Sequence, residues 1–178
     1  PPSPPSRVSD LLCRLAHVEM EYHSAGLLIN VSSLASRLPV PYMAVYNSAK
    51  AAMAAYSFSI QLELRDKQVQ MVDLQPADIC TNFNDVIARA PTNDARIEKV
   101  WNAVDRNMRD APGPELVAAE VVRLVEQGNP PPRITIGDFF QSRVAPLIFR
   151  FLPPRVPIWV RQTYYGVNSV IRSAAILM

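Results

Sequence analysis

A short apolar run, GLLINVSS (Gly26–Ser33), constrains this chain more than any other feature. Its centre, Leu27–Val31, is apolar on successive positions rather than alternate ones, Asn30 excepted. A strand of that kind is covered on both faces, as in a parallel sheet. Val69–Leu74, ended by Pro76, reads as a second strand, and Arg133–Ile136, after Asn-Pro-Pro-Pro, as a third. Between and around them lie helical patterns. Residues 10–24 carry Leu11, Leu12, Leu15, Val18 and Tyr22 at 3–4 spacing, with Asp10 near the cap and Gly26 as the stop. Residues 45–64 form an Ala-rich helix, Asn93–Met108 a polar one, and Pro114–Gln127 one with Pro in its first turn and Gly128 after its end. Alternating helices and strands imply a parallel sheet with helices on both faces.

The chain has 178 residues, enough for one domain with a real core. The apolar fraction of 49% and charged fraction of 19% suit a globular fold. A net charge of +2 gives no reason to expect a nucleic-acid partner. Cys13 and Cys80 lie far apart without metal-ligand spacing, so no metal site is expected, and a reduced, cytoplasmic setting fits best. His17 and His23 read as surface or core fillers. No apolar run reaches the ~20 residues that a membrane-spanning helix needs. Residues 1–9, rich in Pro and Ser, are expected to be disordered.

The chemistry lies in Ser33, Tyr46 and Lys50. In Tyr-Asn-Ser-Ala-Lys (46–50) the phenol and the ammonium are four residues apart, on one face of a helix. A nearby ammonium is expected to lower the tyrosine pKa toward working pH, so that Tyr46 can exchange a proton with a carbonyl or alcohol oxygen. Ser33 lies thirteen residues before Tyr46, at the end of the apolar run, where its hydroxyl could bond the same oxygen. Taken singly these residues are ordinary: a half-buried Tyr, a solvated Lys, a Ser ending an element. Their joint order is not ordinary. Apolar strand, Ser-Ser, Tyr-x-x-x-Lys and an Ala-rich helix resemble the short-chain dehydrogenase/reductases. Val69–Thr81 resembles the strand and Pro-Gly-x-x-x-Thr that follow in that family, with Ala77 in the Gly place.

The resemblance covers about residues 10–137 and implies an α/β fold, a Rossmann-like doubly wound parallel sheet. It matches the carboxyl-terminal half, about three strands with flanking helices. The amino-terminal Gly-rich βαβ unit is not found: Gly26, Gly113, Gly128, Gly137 and Gly166 make no phosphate-binding cluster. The family's helix Asn would fall near Ser6. The sequence therefore reads as a fragment, a gene reading that lost its upstream part, or a decayed relative. The resemblance implies NAD or NADP as cofactor, with NADP slightly preferred, and hydride exchange between a ketone and a secondary alcohol. Tyr46 would be the acid or base. Lys50 would lower its pKa and hold the nicotinamide ribose, and Ser33 would hold the substrate oxygen. Pro76, Ala77, Ile79 and Thr81 would meet the nicotinamide carboxamide. The rival reading is a non-catalytic remnant that binds a partner.

Three further expectations concern surroundings. Residues 82–112, beyond a strand's carboxyl end, read as a substrate lid. The small residues of helix 45–64 suit burial against the sheet and a homodimer partner. Residues 138–178 form a tail in which Arg143, Arg150, Arg155, Arg161 and Arg172 mix with Phe, Trp and Tyr, with no acidic residue in 139–178. Such a tail suits an anionic membrane surface or a partner groove, which would make the protein membrane-peripheral; otherwise it packs over the substrate site or the dimer face. Its likeness to tails of lipid- and steroid-active subgroups points to a bulky hydrophobic ketone or alcohol.

Overall fold

The structure, a computed structural model, describes residues 4–23, 25–64, 69–82 and 93–167. Parts of three expectations lie outside these: residues 1–3 of the start, residues 83–92 of the lid and residues 168–178 of the tail.

Three parallel strands make one sheet in the order β1 (Gly26–Val31), β2 (Val69–Pro76), β3 (Arg133–Ile136). The register sets Val31 beside Leu74 and Leu74 beside Ile134. All three strands fall where the apolar runs place them. β2, the central strand, is buried from Met71 to Gln75. Among the described residues the helices are α1 (Pro4–His23), α2 (Ala44–Glu63), α3 (Ala95–Asp110), α4 (Glu115–Glu126), α5 (Ala145–Phe151) and α6 (Arg155–Tyr164).

Side chains alternate across a strand, so β2 sends Val72 and Leu74 to one face and Met71, Asp73 and Gln75 to the other. Val72 and Leu74 meet Leu124 of α4 and Ile136 of β3, with Leu27, Ile29, Val117 and Val121 around them. The other face meets α2: Asn30 donates to the Ser57 hydroxyl at 2.8 Å, and Gln61 donates to the Met71 carbonyl at 3.0 Å. A second cluster joins α3 to the tail, where Val100, Ala103 and Val104 pack against Tyr165.

Three expectations change. Residues 4–9 are helical rather than disordered, because prolines are tolerated in a first turn whose N–H groups lack partners anyway. The apolar stripe of α1 is exposed, with Leu15 at 60%, although α1 packs against β1 and α2. And α2 is buried on one face only: Ala54 and Ser57 are inside, whereas Val45, Phe58 and Leu62 face out, Leu62 at 73%. Small residues let α2 approach the sheet, but within this chain they do not enclose it.

Candidate active site

The carboxyl ends of β1 and β2 open into a cavity of about 380 Å³. Ser33, Tyr46, Lys50, Pro76, Ala77, Ile79 and Thr81 all line it, so every residue singled out from the sequence falls in one place. The loop after β1 begins with Ser32, whose N–H continues the ladder to the Leu74 carbonyl. Ser33 caps a single 3-10 turn (Leu34–Ser36): its Oγ accepts from the Ala35 N–H at 3.1 Å and donates to the Pro76 carbonyl at 3.4 Å. Tyr46 lies in the first turn of α2. Asn47 fixes that turn to the preceding loop, bonding both the N–H and the carbonyl of Val40 at 3.2 and 2.8 Å. Lys50, one turn on, donates to the Val31 carbonyl at 3.0 Å.

Pro76 ends β2, and the chain passes close to β3 there. The Ala77 N–H bonds the Ile136 carbonyl at 2.7 Å. A Cβ at Gly137 would sit 2.6 Å from the Ala77 Cβ, and Gly137 holds φ +157, so glycine is required by space and by backbone. Ile79 is buried and Thr81 exposed at the rim.

The electrostatics correct one expectation. Burial raises the Tyr46 pKa, and the negative charge of Asp78 adds to the rise. A hydrogen bond with Ser33 opposes both without overcoming them. Burial also lowers the Lys50 pKa. The lysine was expected to pull the tyrosine down, but desolvation of the phenol is the larger effect here, and the ammonium is turned to the Val31 carbonyl.

Behind Ser33 lies a buried polar network that the sequence reading missed. Asp73, 1% exposed, accepts from the Ser32 hydroxyl at 2.5 Å, from Gln75 Nε2 at 2.7 Å and from Arg133 Nε at 3.1 Å. Gln75 accepts in turn from Arg37 Nε at 2.8 Å, and Arg37 donates to Thr135 Oγ1 at 2.7 Å. An acidic residue inside an apolar strand was the available signal, since a buried carboxylate needs donors.

The tail forms the opposite wall. Gln141, in a π-type turn (Phe140–Val144), accepts from the Asp78 N–H at 3.3 Å and donates to Asp78 Oδ2 at 2.6 Å. Arg161 donates to the Pro39 carbonyl at 2.8 Å and to the Leu38 carbonyl, tying α6 to the loop after Ser33. Its guanidinium lies 6.0 Å from the Tyr165 ring. Asn107 of α3 donates to the Tyr164 hydroxyl at 2.8 Å. Val104 and Met108 of α3 also line the cavity, so this part of the expected lid does cover it. Asp78 and Gln141 were not anticipated, and nothing local marks Gln141. The remaining lining is mostly apolar, with Leu38, Val40, Met43, Phe140, Phe149 and Val160.

For a nicotinamide cofactor, the arrangement fits one end. The cavity carries a phenol, an ammonium and a strand-end backbone, while the described residues include no Gly-rich turn to receive a pyrophosphate.

The family model described as short chain dehydrogenase matches residues 11–91. The 3-ketodihydrosphingosine reductase of Bacteroides thetaiotaomicron is 24% identical over 163 residues, covering 88% of this chain and 60% of that protein. A short-chain dehydrogenase structure from Streptomyces avermitilis superposes with a TM-score of 0.61 at 16% identity, over 89% of this chain and 56% of the other. A short-chain dehydrogenase/reductase from Burkholderia phymatum, solved in complex with NAD, gives 0.51 at 22% identity, over 62% of this chain and 42% of the other. The chain thus spans about three-fifths or less of the length of these relatives. The parallel sheet agrees with the matched structures, and over residues 11–91 the chain is similar to the short-chain dehydrogenases.

Proposed function

We propose that this chain carries the substrate-facing part of an NAD(P)-dependent oxidoreductase that interconverts a hydrophobic ketone and a secondary alcohol. The observation that carries the reading is the meeting of Ser33, Tyr46 and Lys50 in one largely apolar cavity. In reduction Tyr46 gives its phenolic proton to the carbonyl oxygen, and in oxidation it takes the proton back. Its raised pKa keeps the proton on the phenol at neutral pH, the form reduction needs. Ser33, already hydrogen-bonded to Tyr46, donates to the same substrate oxygen and orients it. Lys50 sits one turn away, where its ammonium would hold the ribose hydroxyls of NAD or NADP and favour the phenolate left after transfer. The backbone of Pro76, Ala77 and Ile79 and the Thr81 hydroxyl would meet the carboxamide. The cofactor supplies the hydride.

The apolar lining supports a bulky hydrophobic substrate, and so does the likeness to a reductase named for a ketone of the sphingosine type. Cys13 and Cys80 form no disulfide with each other, which suits a reducing cytoplasm. The test is Tyr46→Phe in the full-length enzyme with a long-chain ketone. Turnover should fall by about a thousandfold or more while cofactor binding stays within about twofold. Unchanged turnover would refute the assignment.

The exposed faces of α1 and α2 favour a second, compatible reading, in which a second copy docks there. Leu62→Glu should then lower the mass measured by light scattering from dimer to monomer; a wild-type monomer at every concentration would exclude it.

A further inference from the structure

The tail helices have two sides, and only one is used by the cavity. Phe149, Val160 and Arg161 line the cavity wall. The outer side carries Leu147, Ile148 and Phe151 on α5 and Ile158 and Trp159 on α6, all exposed, with Phe151 at 76% and Trp159 at 61%. Arg143, Arg150 and Arg155 are exposed among them. On α6, Arg155, Ile158 and Trp159 follow i, i+3, i+4 spacing and so form one stripe. Phe139, at 76%, and Phe140, which also lines the cavity, extend the exposed apolar surface to the cavity rim.

We propose that this outer face docks on an anionic membrane surface and brings the cavity rim against the lipid. Grouped exposed aromatics mark an interaction site, since water gains nothing from them. Arginine beside Trp and Phe is the pairing that suits a headgroup boundary, where rings enter the acyl edge and cations meet lipid phosphates. The helices are seven and ten residues long, far below the ~20 needed to span a bilayer, so they lie in the interface rather than cross it. Charge selects this occupant over a second copy. Residues 139–178 contain no acidic side chain, so two copies meeting through this face would set like charge against like charge. The inference stands independently of the oxidoreductase reading, although together they give a hydrophobic substrate a route from the bilayer to Tyr46.

The experiment is flotation of the intact chain with vesicles of phosphatidylcholine alone or with about 30% phosphatidylserine, with folding checked by far-ultraviolet circular dichroism. The chain should float with the mixed vesicles and much less with neutral ones. Replacing Arg143, Arg150 and Arg155 by Gln should weaken partition on the order of a hundredfold, at roughly fivefold per arginine near an anionic surface. The pair Phe151→Glu and Trp159→Glu should abolish flotation, while Leu15→Glu with Leu62→Glu, on the other exposed apolar faces, should leave it unchanged. The proposal is overturned if the wild-type chain does not float, or if only the α1 and α2 substitutions remove flotation. It is equally overturned if the Phe151 and Trp159 substitutions break up a dimer of a chain that ignores both vesicles.

Discussion

Asp73 lends itself to a worked prediction, because three donors converge on its carboxylate in the middle of the central strand. Asp73→Ala removes the acceptor for the Ser32 hydroxyl, for Gln75 Nε2 and for Arg133 Nε. Ser32 and Gln75 are buried, so each stranded donor costs about 1–3 kcal/mol. Gln75 keeps a bond to the Ser36 hydroxyl at 3.2 Å, which lowers its share. The Arg133 side chain is 39% exposed and rehydrates, so its part is discounted. The net loss is about 3–4 kcal/mol, in line with removing one partner of a buried pair. For a domain of this size that is a fall in Tm of roughly 6–16 °C. Asp73→Asn keeps the shape. Its amide oxygen still accepts from Gln75 and Arg133, and its NH2 donates to Ser32, whose hydroxyl can turn to accept. That change should cost about 1 kcal/mol. Urea unfolding followed by circular dichroism measures both. A loss below about 1 kcal/mol for the alanine variant, or an asparagine variant as damaged as the alanine one, would refute the network as described. The network bears on function because Ser32 is the neighbour of Ser33, so its loosening is felt first at the substrate oxygen.

Two other predictions concern stability. Leu124 is 0% exposed and meets Val72, Leu74 and Ile136, so Leu124→Ala should cost about 3–5 kcal/mol by urea unfolding, and a loss under about 1 kcal/mol would mean that α4 does not close this core. Burial raises the pKa of Tyr46, Tyr164 and Tyr165 above the ordinary 10.0, so their contribution is complete below about pH 10 and lost as pH rises through the folded values. Burial lowers Lys50 below 10.5, so its contribution is complete above 10.5 and lost as pH falls through its folded value. Stability should therefore fall on the alkaline side of pH 10, less steeply in Tyr165→Phe, whereas Lys50→Met should gain most at neutral pH. An alkaline limb identical in Tyr165→Phe and wild type would remove the phenol from this account.

What could be read from the sequence divides along physical lines. The strands were legible because a short apolar run bounded by Gly, Ser or Pro states both its burial and its ends. Ser33, Tyr46 and Lys50 were legible because i, i+4 geometry and a strand-end position are local facts that survive folding. The tail helices were not legible. Prolines ordinarily interrupt a helix, yet Pro157 falls in a first turn and Pro153 and Pro154 just before it, where no intrahelical N–H bond is lost, while the helix that holds Pro146 follows directly on the π-type turn Phe140–Val144. Non-local partners were hidden for a different reason. Gln141 meets Asp78 across 63 positions and Arg161 meets Pro39 across 122, and no spacing rule reaches that far. The Tyr46 pKa joins both cases. Its lysine neighbour is written in the helix period, but the burial that raises the pKa belongs to a cavity whose lining includes loop and tail residues distant in sequence. The direction of a pKa shift thus belongs to the cavity, while the identity of the titrating group belongs to the motif. A tail substitution that opens the cavity should consequently lower the Tyr46 pKa without touching Tyr46 or Lys50.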